Sequence, residues 1–216
     1  MSTIDNLIDG NKQFQELHFA KYKKHVDETI KNGQKPEIMF VGCSDSRVTP
    51  DLMLNTKPGD MFILRNVGNF VPPFKNDEDY HGSAAAIEYA VSVLNVKHII
   101  ICGHSHCGAC KSLYQDIPSD IDKLHIKTWL KLGEKAKDIA LKNCGSFSSD
   151  ESKYRATEKA SIQFQLSNLL TYPEVKKRLT EGTIEIHGWY YKIEDGSLDY
   201  FDRVSNSFKP LEKDKI

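Results

Sequence analysis

The sequence predicts an α/β fold: a mostly parallel central β-sheet flanked by helices, with an N-terminal helical arm and a C-terminal β-hairpin. Three observations carry this. The short apolar runs Ile38-Met39-Phe40-Val41, Met61-Phe62-Ile63-Leu64 and Ile99-Ile100-Ile101 read as buried strands. An alanine-rich stretch from Gly82 to Leu94 separates the second run from the third and has helix-forming character. Strand, helix, strand implies a parallel pair, because the crossover must return the chain to the same end of the sheet.

In chain order, Thr3 to about Phe19 carries Ile4, Leu7, Ile8, Phe14 and Leu17 at approximate helical spacing, interrupted by Gly10. This is a helical arm, taken to occupy about residues 1–30. The strand at 38–41 ends at Gly42, and Pro58-Gly59 introduces the strand at 61–64. After the third strand, helices are predicted at about 106–116 and 121–141. A polar interruption from Asn143 to Asp150 follows, then a helix at about 151–170, and Pro173 opens one more turn. Residues 183–191 and 198–202, separated by Glu194-Asp195-Gly196, read as a strand and its hairpin partner. No repeat, low-complexity tract or linker divides residues 1–216, which are taken as a single domain.

Composition narrows the function. Lys plus Arg (29) nearly balances Asp plus Glu (30), and no basic block stands out, so nucleic acid and anionic membrane are not expected partners. A small, weakly charged substrate is more natural. The first residues lack a basic n-region and a long apolar h-region, and no apolar run approaches the roughly 20 residues of a membrane span. The expected location is cytoplasmic. Five cysteines, three of them within 102–110, do not resemble a secreted disulfide framework and fit metal ligation in a reduced compartment.

The chemistry concentrates in Cys43-Ser44-Asp45-Ser46-Arg47 and His104-Ser105-His106-Cys107. Cys43 and His104 fall just past two predicted strands, where open parallel sheets bind ligands. Zinc takes Cys sulfur, His nitrogen and carboxylate oxygen in a tetrahedral shell, and catalytic sites usually keep three protein ligands. Cys43, His104 and Cys107 are the three. Asp45 either closes the shell as a fourth ligand or, gripped by Arg47 in a bidentate pair, accepts a hydrogen bond from zinc-bound water. A rival reading takes Cys107 and Cys110 as a redox dithiol, with the first thiol acidified at a helix N-terminus; it leaves Asp45 and Arg47 unexplained. Cys102 and Cys144 read as packing residues. His106 is assigned to solvent or to the surroundings of the ligands. His18, His25, His81, His98, His125 and His187 are individually uninformative.

These residues resemble the β-class carbonic anhydrases. The likeness runs through Cys43–Arg47, Arg65-Asn-Val-Gly-Asn69, Gly82–Ala90, Gly103-His-Ser-His-Cys-Gly108 and His187-Gly-Trp-Tyr-Tyr191. The resemblance implies one Zn2+ per subunit and reversible hydration of carbon dioxide to bicarbonate and a proton, by attack of zinc-bound hydroxide oriented by the Asp45–Arg47 dyad. It implies substrate contacts at Gln34, Phe62, Tyr89 and Gly108, and a homodimer or larger homo-oligomer gripped through the N-terminal arm, with the active site at the subunit boundary. Gln34, Phe62 and Tyr89 match the plant-like branch. In the bicarbonate-regulated branch a tryptophan would stand where Phe40 does, beside a pocket to which Arg65 and Tyr191 contribute, so the open, unregulated form is expected. His106 and His81 are candidates for proton export. Two alternatives stand beside this reading: hydrolysis of carbon disulfide or carbonyl sulfide on the same zinc, and a closed, noncatalytic structural zinc site.

Overall fold

The computed structural model describes residues 2–118 and 120–213. The arm begins with α1 (Thr3–Gln13), whose start is closed by a capping box: Asp5 N–H donates to Ser2 Oγ, and Ser2 N–H donates to Asp5 Oδ2. Gly10 does not end it. A π-helical segment, Phe14–Phe19, passes the chain into α2 (Ala20–Asn32), so the helical arm continues beyond the periodic stretch that ends near Phe19 and stops at Gly33, with φ of 75°, close to the expected extent of about residues 1–30. A single Gly costs a helix only about 1 kcal/mol relative to Ala, too little to break one that continues on both sides. No residue of α1 or α2 is buried.

The sheet follows: β1 (Ile38–Cys43), α3 (Pro50–Leu54), β2 (Met61–Asn66), α4 (Gly82–Glu88), β3 (His98–His104), α5 (Gly108–Ser112), α6 (Leu124–Cys144), α7 (Asp150–Leu169), α8 (Pro173–Thr180), β4 (Glu185–Tyr191), β5 (Leu198–Asp202) and β6 (Ser207–Pro210). Strand order is β2-β1-β3-β4-β5-β6. β2, β1, β3 and β4 run parallel, β5 pairs antiparallel with β4, and β6 pairs antiparallel with β5, so the sheet is mixed. The expected hairpin is present, and β6 adds a strand that was not expected. Its Ser-Phe-Lys-Pro sequence is short and ends in proline, a pattern tolerated at a sheet edge but with little strand signal of its own. The helix expected over 106–116 is confined to α5, because His106 stands in a left-handed conformation, with φ of 58°, that an α-helix does not accommodate.

Period-two alternation assigns the strands' two faces. Met39, Val41, Phe62, Leu64, Ile99, Ile101 and Ile186 pack with residues of α4, α7 and α8 in the main core. Ile38, Phe40, Met61, Ile63, Ile100, Cys102, Trp189 and Tyr191 form the opposite face, against Met53 and Leu54 of α3. Ile99 and Ile101 are fully buried, and each contributes about 1.5–3 kcal/mol by leaving water.

α7 departs from the usual apolar stripe. It turns Thr157, Glu158, Ser161, Gln165 and Asn168 inward. Gln165 Oε1 accepts from Val71 N–H at 2.8 Å and Asn168 Nδ2 donates to Val71 O at 2.9 Å, tying the loop after β2 to the helix. Among the described residues, no helix is long and apolar enough to cross a membrane.

Candidate metal centre

Cys43 is the last residue of β1, Asn66 the last of β2 and His104 the last of β3. The parallel register therefore delivers them to one edge, and the turn after β3 folds Cys107 back onto it. One ligand atom each from Cys43, His104 and Cys107 lies within 4.8 Å of the others, and all three residues are buried. His106 reaches this turn with φ of 58°, a left-handed conformation that reverses the chain between the two ligands.

The histidine is set up to bind a metal. His104 Nδ1 stands 2.8 Å from Ser105 O, a carbonyl that can only accept, so Nδ1 carries the proton. Nε2 is left as a bare lone pair, buried and without a hydrogen-bond partner. An orphaned buried nitrogen beside two buried sulfurs has a physical explanation in a thiophilic cation, and the set of two Cys and one His suits zinc. Asp45 N–H and Gly68 N–H approach Cys43 Sγ at 3.4 and 3.3 Å, donors suited to a thiolate. Gly68 has φ of 81°, and a Cβ there would stand 2.8 Å from that of Ala109, so only glycine brings this amide to the sulfur.

Asp45 stays out of the sulfur and nitrogen cluster. Arg47 donates to it three times: backbone N–H to Oδ1 at 3.0 Å, Nε to Oδ1 at 2.9 Å and Nη2 to Oδ2 at 2.8 Å. These bonds, those from the guanidinium foremost, hold the Asp45 carboxyl well below the usual carboxylate range. Arg47 Nη2 also reaches His106 O at 3.2 Å, and Arg65 donates to the carbonyls of Cys43 at 3.0 Å and Asp45 at 2.7 Å. Arg65 thus braces the loop that carries Cys43 and Asp45.

A second layer of charge was invisible from sequence. Glu158, on α7, is buried; its Oε1 accepts from Cys107 N–H and from Arg155 Nη2, each at 2.9 Å, and its Oε2 from Tyr190 OH at 2.8 Å. Burial pushes its carboxyl up to about 7, against the pull of these donors. Glu194 binds His106 Nε2 at 2.6 Å through Oε1 and Ser105 Oγ at 2.5 Å through Oε2. The turn that carries Ser105, His106 and Cys107 is therefore gripped from both sides. No local motif marks Glu158 or Glu194 in the sequence.

The remaining site residues lie apart. Phe62 and Tyr89 pack together, ring centroids 5.8 Å apart, but Phe62 pairs with Met39, four residues before Cys43, about 13 Å along the strand at about 3.3 Å per residue. Gln34 is exposed in the link to β1, and Gly108 opens α5 directly after Cys107. His81 Nε2 is held by Asp77 Oδ1 at 2.6 Å, and the histidine lines a cleft of about 990 Å3 that opens beside Ser44 and Asn66. Cys102 is buried among apolar residues, as expected; the side chain of Cys144 lies outside the described residues. The dithiol reading fares poorly. Cys107 and Cys110 are both buried, and the Cys110 neighbour, the stronger influence, and burial raise the Cys107 thiol rather than acidify it.

Comparison with known proteins follows the same outline. The family model described as "Carbonic anhydrase" matches residues 38–198. A carbonic anhydrase of Synechocystis sp. is 39% identical over 206 residues, covering 95% of this chain and 73% of that protein. One from Helicobacter pylori is 36% identical over 207 residues, covering 94% and 93%. Among solved structures, the β-carbonic anhydrase CcaA superposes with a TM-score of 0.90 at 36% identity, covering 99% of this chain and 94% of that one. A tetrameric β-carbonic anhydrase from Sordaria macrospora gives 0.76 at 28% identity, covering 92% and 96%.

Proposed function

This chain belongs to the carbonic anhydrase family, in its β class, and from that premise we propose that it hydrates carbon dioxide reversibly at one zinc ion per subunit, held by Cys43, His104 and Cys107. The observation that carries the ligand assignment is the bare, buried Nε2 of His104 beside the two sulfurs.

Zinc, when bound there, supplies Lewis acidity that lowers the pKa of a water molecule toward neutrality. Asp45 orients the reacting water. A carboxylate offers about four acceptor sites, two on each oxygen. Oδ1 has both engaged by Arg47 and Oδ2 has one, so a single lone pair on Oδ2 remains for the water. A hydrogen bond to it turns the water's oxygen toward the carbon of CO2. As the new C–O bond forms, one C=O electron pair moves onto its oxygen, and the water's proton leaves for solvent. Asp45 does not take that proton, because Arg47 keeps its carboxyl ionised far below neutral pH. His106 and His81, each facing a carboxylate, are the candidates for passing the proton outward.

Gln34, Phe62 and Tyr89 are read as substrate contacts offered to the metal loop of a second copy, with Gly108 contributing from its own loop. Their distance from Cys43 within one chain is what a site shared between subunits requires. The arm supports the same assembly: Ile4, Leu7, Ile8 and Leu17 are all at least half exposed, an apolar stripe for a second copy to cover. Phe40 is fully buried and Arg65 is committed to the carbonyls of Cys43 and Asp45, which supports a site without bicarbonate-driven closure.

Stopped-flow CO2 hydration with a pH indicator, on protein whose zinc has been counted, tests the proposal. A zinc-dependent rate is expected. Full zinc occupancy with no hydration at alkaline pH would overturn it.

A further inference from the structure

A second group of metal-ligating side chains stands at the opposite end of the parallel strands from Cys43. His98 opens β3 and Glu185 opens β4, and the two are register partners. In-register residues on neighbouring parallel strands share a face, as do residues two apart on one strand, so His98, Glu185 and His187 project together. His98 Nδ1 lies 3.2 Å from His187 Nε2, and Glu185 Oε2 lies 3.9 Å from the first nitrogen and 3.8 Å from the second. One donor atom from each of the three falls within 4.8 Å of the others.

Two imidazole nitrogens at that separation share at most one hydrogen, as an N–H···N bond. The spacing also matches two ligands on one ion: metal–nitrogen bonds of about 2.0–2.1 Å in a tetrahedral shell put the nitrogens about 3.3–3.4 Å apart. We propose that His98, Glu185 and His187 form a second metal site for a first-row divalent cation such as zinc or nickel. Two imidazoles and a carboxylate are a donor set these ions favour, and it lacks the thiolates of the first centre.

The backbone beneath the site is already ordered. Lys97 N–H and His98 N–H both donate to Glu37 O, at 2.7 and 3.0 Å, and Glu185 N–H donates to Lys97 O at 2.8 Å. Two ligands are therefore carried on pinned strand starts. His187 is mostly buried, whereas the Glu185 side chain is 67% exposed, so it swings without cost to the core and its side leaves a coordination position for water.

The test uses untagged protein already loaded with one zinc per chain, titrated with nickel chloride by calorimetry, with both metals counted after gel filtration. About one further metal per chain is expected, at micromolar affinity and without loss of the resident zinc. His98→Asn and Glu185→Gln should each weaken it at least tenfold, a loss of about 1.4 kcal/mol, while their CO2 hydration stays at the wild-type level and shows that the fold and first centre are intact. No nickel uptake, uptake matched by zinc loss, or undiminished affinity in both variants would overturn the site.

Discussion

Arg47 holds both carboxylate oxygens of Asp45, with Nε on Oδ1 at 2.9 Å and Nη2 on Oδ2 at 2.8 Å. The pair is two residues apart in sequence, so the loop itself imposes the grip and leaves one direction for the last acceptor site on Oδ2 to point. Freed of Arg47, Asp45 would be drawn to the metal or would orient nothing.

Arg47→Ala should therefore depress hydration by on the order of 100-fold, the scale of a misplaced reacting group, while zinc content stays near one per chain. Metal analysis beside the rate measurement checks both halves; loss of zinc in this variant would contradict the assignment.

Activity should rise from about pH 6.5 toward pH 9, since two thiolates offset the charge of the zinc and leave a weaker Lewis acid than three neutral imidazoles would. Asp45 is not the source of the slope. Its folded pKa is depressed, so its ion pair is complete above the ordinary carboxylate range and is lost only as pH falls through the lowered value. A flat rate profile across this window would sink the idea.

Glu158→Ala should cost about 1–3 kcal/mol for each of the two donors it strands, since Cys107 N–H and Tyr190 OH stay buried without their acceptor, and lower the melting temperature by roughly 10 °C. Glu158→Gln isolates the charge. The fold raises this carboxyl from 4.5 to about 7, so between those values the native state holds a proton that the unfolded chain has released, and stability falls as pH rises. Thermal melts from pH 5 to 7 should show a shallower fall in the glutamine variant.

Removal of zinc with a chelator should abolish hydration and lower the melting temperature, with both restored by added zinc. Free zinc at about 100 times its dissociation constant stabilises by about 2.7 kcal/mol, readily seen by scanning calorimetry. A chelated protein that keeps its rate would refute a catalytic metal.

Leu7→Glu combined with Leu17→Glu places charges on the exposed stripe of the arm. The assembly should shift toward monomer in sedimentation velocity, and hydration should fall with it if Phe62 and Tyr89 serve the neighbouring subunit. A dimer unchanged by both charges would remove the arm from the interface.

Much of the fold was legible because its signals are local. Each of the first three parallel strands carries a run of apolar residues, and the crossover helix between the second and third is rich in alanine. The proposed zinc ligands were legible for the same reason: Cys43 and His104 sit where strands end, and strand ends in a parallel sheet converge. What failed to show was whatever depends on partners far along the chain. α7 buries Glu158, Gln165 and Asn168 because they meet the backbones of Cys107 and Val71, and no periodicity announces a helix whose inward face is polar.

The sequence by itself determined every strand but β6, the arm and the candidate metal donors, since each follows from residue type at short spacing. Tertiary structure alone decided that Asp45 stands with Arg47 and that Glu158 and Glu194 grip the turn at 105–107. It also decided that His98 and His187, uninformative singly and 89 residues apart, meet at 3.2 Å. The physical reason is that hydrogen bonds and metal shells act over about 3 Å in space, and only the packed sheet converts distance along the chain into that range.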